Sequence, residues 1–206
     1  MISEVYNIDC IEFMQQFSDK HFELAIVDPP YGIGINVNMG RRKGVLKSSY
    51  HKFHGEDKSI PNENYFNELN RVSKNQIIWG GNFMTKYLEP SSCWILWDKG
   101  FSEEVTFGQF ELAWTSFTTT HKKFDRSPNQ NNRIHPTQKP VKLYRWLLQN
   151  YAKEGDKILD THLGSGSSRI ACDMEGFDFY GCELDQDYFE AHQKRWTEYK
   201  KQLTLF

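Results

Sequence analysis

An apolar run that ends in an acid and two prolines constrains this chain more than any other feature. Residues 22–27 read Phe-Glu-Leu-Ala-Ile-Val and predict a buried strand. Asp28, Pro29, Pro30 and Tyr31 follow directly. Ligands of an open α/β sheet bind outside the carboxyl ends of its strands, so a turn at this place would face a ligand.

The chemistry of this turn suits a flat ring that carries an amine. The two prolines fix φ and remove backbone donors, so the turn offers only carbonyls and side chains. Asp28 and the Pro29 carbonyl can each accept one N–H, while Tyr31 stacks on the ring. The other interpretation is a strand followed by a proline turn with a packed tyrosine. These four residues leave both open.

A second block of the sequence predicts a strand, a glycine loop, a helix and another strand in succession. The strands are 157–160 and 177–182, and the helix runs through 169–174. The glycine loop, residues 163–168, connects the first strand to the helix. Its glycines let a ligand approach the backbone, and the helix start directs N–H groups at that ligand.

The spacing around the glycine loop narrows the choice of ligand. Glu183 stands 23 positions after Asp160, close to the spacing of a carboxylate that binds ribose hydroxyls. The loop lacks the third glycine of a dinucleotide site and the Gly-Lys-Ser/Thr of a triphosphate site. A nucleoside ligand without a pyrophosphate fits best, and S-adenosylmethionine is the candidate.

Together these segments resemble the amino-methylating DNA methyltransferases of the permuted beta order, in which a D-P-P-Y segment precedes the glycine loop. The segments that match the family are residues 7–10, 28–32, 79–83, 94–99, 135–140 and 160–185. The resemblance covers residues 5–35, 76–116 and 133–196. It departs at Thr161 and His162, where the family usually has Pro and Phe, which bears on the fine contacts around the cofactor.

The resemblance implies a Rossmann-like α/β fold, a doubly wound and mostly parallel sheet in the permuted order. It also implies transfer of a methyl group from S-adenosylmethionine to adenine N6 of a flipped-out DNA base. Asp28, Pro29, Pro30 and Tyr31 would then be the catalytic segment. D-P-P-Y rather than S-P-P-Y favours adenine. The alternatives are cytosine-N4 methylation, RNA methylation, and an inactive module that binds DNA or a clamp.

By the same resemblance, Asp9 and the Cys10 amide contact the adenine ring of the cofactor, and Glu183 contacts the ribose. The segment 135–140 closes over the methionine end, with Lys139 near its carboxylate. Asp9 could equally cap a helix. The expected cofactor contacts are Asp9, Cys10, Asp28, His135, Thr137, Gln138, Lys139, Asp160, Leu163, Gly164, Ser165, Gly166, Ser167, Ser168 and Glu183.

The chain contains two basic segments although its net charge is −2. Residues 41–58 carry six Lys or Arg against two acids, and residues 122–145 carry seven against one. We interpret both as loops at the ligand edge of the sheet that contact DNA phosphates; the alternative is solvated surface. Loops 36–61 and 117–134, the latter for target recognition, would supply the expected contacts Arg41, Arg42, Lys43, Lys47, Lys122, Lys123, Arg126 and Arg133.

Composition favours a single domain over residues 1–206, since this length and 38% hydrophobic residues suit one α/β core. There is no run of membrane-spanning length and no signal-peptide pattern. The four cysteines are scattered without a C-x-x-C, which favours reduced thiols in a cytoplasmic, nucleoid-associated protein. No metal site is expected.

The last five residues carry a separate signal. Gln202-Leu203-Thr204-Leu205-Phe206 resembles the peptide by which bacterial proteins bind the replication sliding clamp, through Gln202, Leu203, Leu205 and Phe206. The alternative is a tail that packs on its own domain. The shortness of the recognition segment favours a homodimer that covers DNA with two copies.

Overall fold

The computed structural model describes residues 1–34, 57, 59–101, 108–128 and 133–203. The strands are β1 (Ser3–Tyr6), β2 (Phe22–Val27), β3 (Ser73–Trp79), β4 (Trp94–Asp98), β5 (Phe110–Thr115), β6 (Lys122–Asp125), β7 (Lys157–Asp160) and β8 (Asp178–Cys182). The helices are α1 (Cys10–Met14), α2 (Glu63–Val72), α3 (Val141–Tyr151), α4 (Ser167–Glu175) and α5 (Gln186–Leu203), with short 3₁₀ turns at Gly81–Phe83 and Thr85–Tyr87.

The eight described strands form one mixed sheet in the order β1-β8-β7-β2-β3-β5-β4-β6. Five of its pairings are parallel. Strand β5 pairs antiparallel with both β3 and β4, so among the described strands it runs opposite to the others. The predicted mostly parallel α/β sheet is confirmed.

Helices cover both faces of this sheet. Helices α1 and α2 bury Phe13, Phe66 and Leu69 against one face, beside Ala25 and Val27 of β2. The other face packs on α3 and α4 through Leu143, Leu147, Ala171 and Cys172. Strand β2 is buried on both faces, as its continuous apolar sequence predicts for a central parallel strand.

The predicted strands 22–27 and 157–160 have the bounds of β2 and β7, and β8 begins one residue after the predicted 177. Helix α4 begins at Ser167, two residues before the predicted start. Gly166 precedes it with a φ of +70°, a left-handed conformation that favours glycine.

The interpretation of the second basic segment, residues 122–145, as a loop was wrong at its two ends. Residues 122–125 form β6, which pairs with β4 at the edge of the sheet, and α3 begins at Val141. Polar edge strands are common because they discourage pairing with another chain. Phe124 supplies the apolar contact that fixes β6, since its ring packs 5.5 Å from that of Trp146.

The two central strands create the ligand cleft. Strands β2 and β7 are parallel neighbours, so Asp28 and Asp160 emerge at the same edge. The chain then leaves β2 towards α2 on one face and leaves β7 towards α4 on the other. Such a divergence opens a crevice where ligands bind. In the described parts of the chain, no helix has the length and apolarity to cross a membrane.

Candidate active site

Asp28 lies at the floor of the crevice and is held by two side chains. The Tyr31 hydroxyl donates to Asp28 Oδ1 at 2.6 Å, and Lys139 Nζ donates to Asp28 Oδ2 at 2.5 Å. Lys139 also lies 3.0 Å from Glu111, which in turn pairs with Lys99 at 2.6 Å. We call Asp28, Lys139, Glu111 and Lys99 the charge chain.

Burial controls the electrostatics of the charge chain. Only 2% of the Lys139 side chain is exposed. Burial raises the pKa of Asp28 above its usual range, although the Lys139 cation opposes the rise. Burial also opposes ionisation of Glu111, but Lys139 and Lys99 lower the pKa of that carboxyl to about 2. Despite its burial, Lys139 has a raised pKa because Asp28 and Glu111 flank it, so it is a cation.

Tyr31 is fixed by the Trp-Gly-Gly-Asn-Phe segment. Its ring stacks on Phe83, with 5.4 Å between centroids and 19° between planes. Gly80 has a φ of +68°, and a Cβ there would lie 2.2 Å from Tyr31 Cε1. Glycine is therefore required at position 80 by both conformation and space. Burial raises the pKa of Tyr31 well above its usual value, so the phenol stays a neutral donor.

Two carboxylates organise the backbone of the glycine loop. Glu183 Oε2 accepts from the Gly164 N–H at 2.7 Å, and Oε1 accepts from the Asp185 N–H at 3.0 Å. Asp160 is buried, accepts from the His162 N–H at 3.0 Å, and accepts from the Ser168 hydroxyl at 2.6 Å. Burial raises the pKa of Asp160 to about 7. The two acids thus hold the loop near its start, at Gly164, and at its end, at Ser168.

Helix α5 supports the same loop from behind, which the sequence interpretation missed. Arg195 donates to the Ser165 carbonyl at 2.7 Å and to the Ser167 hydroxyl at 2.9 Å. His192 packs so closely that a Cβ on Gly166 would lie 2.2 Å from its Cδ2. These contacts join residues 26 to 30 positions apart, and no local pattern in the sequence announces them.

The segment before α3 is hydrogen-bonded within itself. The Thr137 N–H donates to His135 Nδ1 at 3.3 Å, and Gln138 Oε1 accepts from the Ile134 N–H at 3.1 Å. His135 packs on Tyr188 of α5, with 4.3 Å between ring centroids. Burial lowers the pKa of His135 to about 4, so its ring is neutral.

Asp9 performs the capping role that the sequence left open. Its Oδ1 accepts from the Ile11 and Glu12 N–H groups at the start of α1. The Cys10 thiol is half-buried, and burial raises its pKa to about 12, so it is not a nucleophile at neutral pH. A contact of Asp9 and Cys10 with adenine stays a prediction.

A single cleft gathers most of the expected site residues. Its lining includes residues 28–31, 135–139 and 163–165 together with Glu183. Asp57, Glu111, Tyr144 and His162 also line the cleft and were not expected from the sequence. Asp160 and the second half of the glycine loop, Gly166, Ser167 and Ser168, are not part of the lining. A larger cavity of about 730 Å³ beside α2 contains none of the expected site residues.

Lys139 makes contacts that the resemblance did not imply. The resemblance put it beside the cofactor carboxylate, whereas its ammonium group is directed at Asp28 and Glu111. Glu111 escaped notice because it lies inside β5, in a pattern that reads as ordinary strand sequence. An acid within an otherwise apolar strand is the signal that could have found it.

The expected DNA contacts are only partly described. Arg41, Arg42, Lys43 and Lys47 lie outside the described residues. Lys122 donates to Asn150 Oδ1 at 2.7 Å, and Lys123 pairs with Asp98 and Asp125. Arg126 is exposed, and Arg133 donates to the Pro136 carbonyl at 2.6 Å.

The fold and cleft define a class of enzymes with a doubly wound sheet and a nucleoside-type glycine loop. The chain belongs to the N6/N4 DNA methylase family, whose model matches residues 78–194, and it is therefore a DNA methyltransferase. The matched region contains the glycine loop, Lys139 and Glu111. Asp28 to Tyr31 lie before the matched region.

Individual relatives agree with this assignment. The chain is 25% identical to the type II methyltransferase M2.MboI of Moraxella bovis, over 94% of this chain and 87% of the relative. It is also 25% identical to M2.DpnII of Streptococcus pneumoniae, over 91% and 87%.

Solved structures share the fold. A complex of M1.HpyAVI with S-adenosylmethionine superposes with a TM-score of 0.63 at 18% identity, over 95% of this chain and 98% of that one. The cytosine-N4-specific PvuII DNA methyltransferase superposes with a TM-score of 0.64 at 12% identity, over 94% and 86%.

Proposed function

We propose that this chain transfers the methyl group of S-adenosylmethionine to the N6 amine of a flipped-out adenine in double-stranded DNA. The observation that carries the proposal is the shared cleft, in which the Asp28 turn and the glycine loop face one another. Family membership supports methyl transfer to DNA, and the M1.HpyAVI complex supports the choice of cofactor. Asp28 rather than Ser at the start of the motif supports adenine.

Asp28 and Pro29 supply the chemistry at the target amine. An exocyclic amine is a poor nucleophile because its lone pair is delocalised into the ring. Two acceptors, the Asp28 carboxylate and the Pro29 carbonyl, favour a pyramidal nitrogen with a localised lone pair. As the N–C bond forms and the S–C bond of the sulfonium breaks, with its electron pair returning to sulfur, positive charge develops on the nitrogen, and the fixed Asp28 carboxylate stabilises it. The amine proton becomes acidic only after transfer and is then lost to water.

The chain's own residues fit S-adenosylmethionine, which when bound supplies an electrophilic methyl group on a sulfonium. A Cβ on Gly164 would point at His135 from 3.7 Å, so glycine preserves a gap between the glycine loop and the segment 135–139. The methionine part would occupy that gap. Glu183 lies beside it, and each of its oxygens keeps a further lone pair for a ribose hydroxyl.

The direct test is mass spectrometry of nucleosides from mixed-sequence duplex DNA incubated with deuterated-methyl S-adenosylmethionine. We expect labelled N6-methyladenine with the native chain and none with Asp28→Ala. Labelled N4-methylcytosine would agree with the mechanism but would show that the target base is cytosine and not adenine. No label in DNA, despite saturable cofactor binding, would contradict the proposal; labelled RNA would then identify an RNA enzyme, and unlabelled RNA an inactive module.

The proposal extends to the way DNA and partners are held. We infer one domain over 1–206, with DNA phosphates contacted from 36–61 and 117–134. The exposed Arg126 is the clearest described candidate for such a contact. Replacing one phosphate-binding cation should lower the slope of log K against log salt by about 0.9.

Two further partners, the sliding clamp and a second copy of the chain, are inferred from the sequence alone. We infer that residues 202–206 bind the sliding clamp and that two copies cover the DNA. Helix α5 ends at Leu203, and positions 204–206 lie outside the described residues. Unchanged clamp binding after deletion of 202–206 would end the first idea. Sedimentation of the chain with and without duplex DNA tests the second, and a monomer in both would end it.

A further inference from the structure

We propose that Lys139 is a positioning residue for methyl transfer, which keeps the Asp28 carboxylate ionised and oriented towards the target amine. We further propose that Glu111 fixes Lys139 in this role. Both statements rest on the proposed function of Asp28. They give the lysine of the His-Pro-Thr-Gln-Lys-Pro segment a task at the amine rather than at the cofactor.

The geometry ties Lys139 to the reacting group. Its Nζ lies 2.5 Å from Asp28 Oδ2, and the Tyr31 hydroxyl lies 2.6 Å from Asp28 Oδ1. Each carboxylate oxygen thus receives one donor from the protein and keeps a free lone pair. The orientation of the carboxylate is therefore set before an amine N–H arrives, which is what preorganised stabilisation requires.

Lys139 itself has little freedom to move. Glu111 lies 3.0 Å from its Nζ, in addition to the contact with Asp28, and Lys99 holds Glu111 at 2.6 Å. The rings of Trp79 and Tyr31 lie with centroids 5.2 Å and 5.8 Å from the same ammonium group. Aromatic faces attract a cation at this range. Lys139 is thus fixed by two anions and two rings.

The charges require this cation. A buried carboxylate without a partner takes up a proton rather than stay ionised. Glu111 strengthens that tendency, because a second carboxylate nearby disfavours ionisation of Asp28. A protonated Asp28 would lose one of its acceptor positions to its own proton. Lys139 lies between the two acids and prevents that loss.

A measurable consequence concerns pH. The groups that face Asp28 are Lys139 from the segment before α3, Glu111 from β5, Tyr31 from its own turn, Tyr144 from α3 and Asp160 from β7. Among them Lys139 is the cation. Its removal should raise the pKa of Asp28, so the acidic limb of the rate profile should move to higher pH.

The test is Lys139→Met, with kcat and the KM for S-adenosylmethionine measured from pH 6 to 9 on duplex DNA. We expect the acidic limb to rise by about two pH units, the size of shift that one close opposite charge produces, so that kcat falls by up to about 100-fold at pH values on that limb. The rate should recover as pH increases, with KM within about threefold. Lys139→Arg, which keeps the charge, should bring the acidic limb part of the way back to its native pH.

Two further variants make the test specific. Adding Glu111→Gln to Lys139→Met removes the like charge and should return the limb by about one pH unit. Lys142→Met, at an exposed position three residues along, is the matched control and should leave both parameters unchanged. If Lys139→Met does not fold, Lys99→Met should show the same displacement at smaller size.

Three outcomes would overturn the proposal. A loss of kcat that is equal at every pH would make Lys139 merely structural. A raised KM with unchanged kcat would indicate that Lys139 binds the cofactor carboxylate instead. An unchanged limb in both Lys139→Met and Lys99→Met would remove the charge chain from the reaction. Absence of methylation by the native chain would instead contradict the proposed function and is seen in the same assay.

Discussion

The glycine loop and the Asp28 turn lie in one cleft, yet the protein holds them by different means. The loop is held mainly by side chains that bind peptide groups: Glu183 accepts from a loop amide, and Arg195 donates to a loop carbonyl. Asp28 is held by other side chains, Lys139 and Tyr31. The first arrangement fixes a shape for binding, and the second fixes a charge for reaction.

This difference has an energetic meaning. Bonds to the backbone of a tight loop satisfy groups that folding would otherwise leave unpaired, so they support the fold itself. A buried ion pair contributes little net stability, because desolvation offsets the attraction, yet removal of one partner is costly. The charge chain is therefore explained better by the chemistry of Asp28 than by stability.

The largest effect on stability should come from Gly166→Ala in the glycine loop. Its φ is +70°, and a Cβ would lie 2.2 Å from His192. We expect the free energy of unfolding to fall by about 3 kcal/mol, the combined cost of left-handed strain and overpacking. Cofactor binding should be lost with it. Urea unfolding and equilibrium dialysis measure the two quantities.

Gly155→Ala is the matched control. Gly155 also has a positive φ, +87°, but a Cβ there would meet nothing within 4 Å. Its cost should be about 1–2 kcal/mol, from conformation alone. Equal costs at the two positions would show that α5 does not constrain the loop.

Arg195→Met should separate binding from reaction. It removes the donor to Ser165 and Ser167. We expect the Kd for S-adenosylmethionine to rise about tenfold, with the rate at saturating cofactor within about twofold. Lys194→Met, at the exposed neighbouring position, should change neither. A slower saturated rate with unchanged Kd would contradict the division between the two regions.

His162→Phe should give the smallest effect at neutral pH. Burial lowers the pKa of His162 to about 4, so the fold excludes a proton that the unfolded chain binds below about pH 6.5. Stability should therefore rise with pH between about 4 and 6.5. The variant should reduce that slope by about 1.4 kcal/mol per pH unit in thermal or urea unfolding.

The remaining slope in His162→Phe belongs to other buried groups, such as His135. If His162→Phe left the slope unchanged, His162 would not be a buried neutral histidine in the lining of the cleft.

The sequence predicted the parts of the site that are local. The acid after β2 and the glycine loop after β7 each follow their strand directly in the sequence. Parallel pairing of the two strands then brings their ends together. Glu183 was found by its spacing. In each case the chemistry follows a strand directly, so predicting the strand was sufficient to position the residue.

The parts that escaped prediction depend on distant contacts. Lys139 reaches Asp28 across 111 positions, and His192 reaches Gly166 across the α4–β8 unit. Such pairs leave no periodic pattern in a single sequence. Strand β6 was missed for another reason, because its Lys-Lys-Phe-Asp sequence is as polar as a loop.

The central claim is that Asp28 acts in the methyl-transfer step itself. Single-turnover methylation of duplex DNA by Asp28→Asn, with saturating S-adenosylmethionine, tests it most directly, since the substitution removes the charge and keeps the shape. We expect the transfer rate to fall about 10²–10³-fold, with the Kd for the cofactor within about threefold. A native transfer rate with weakened cofactor binding would contradict the claim.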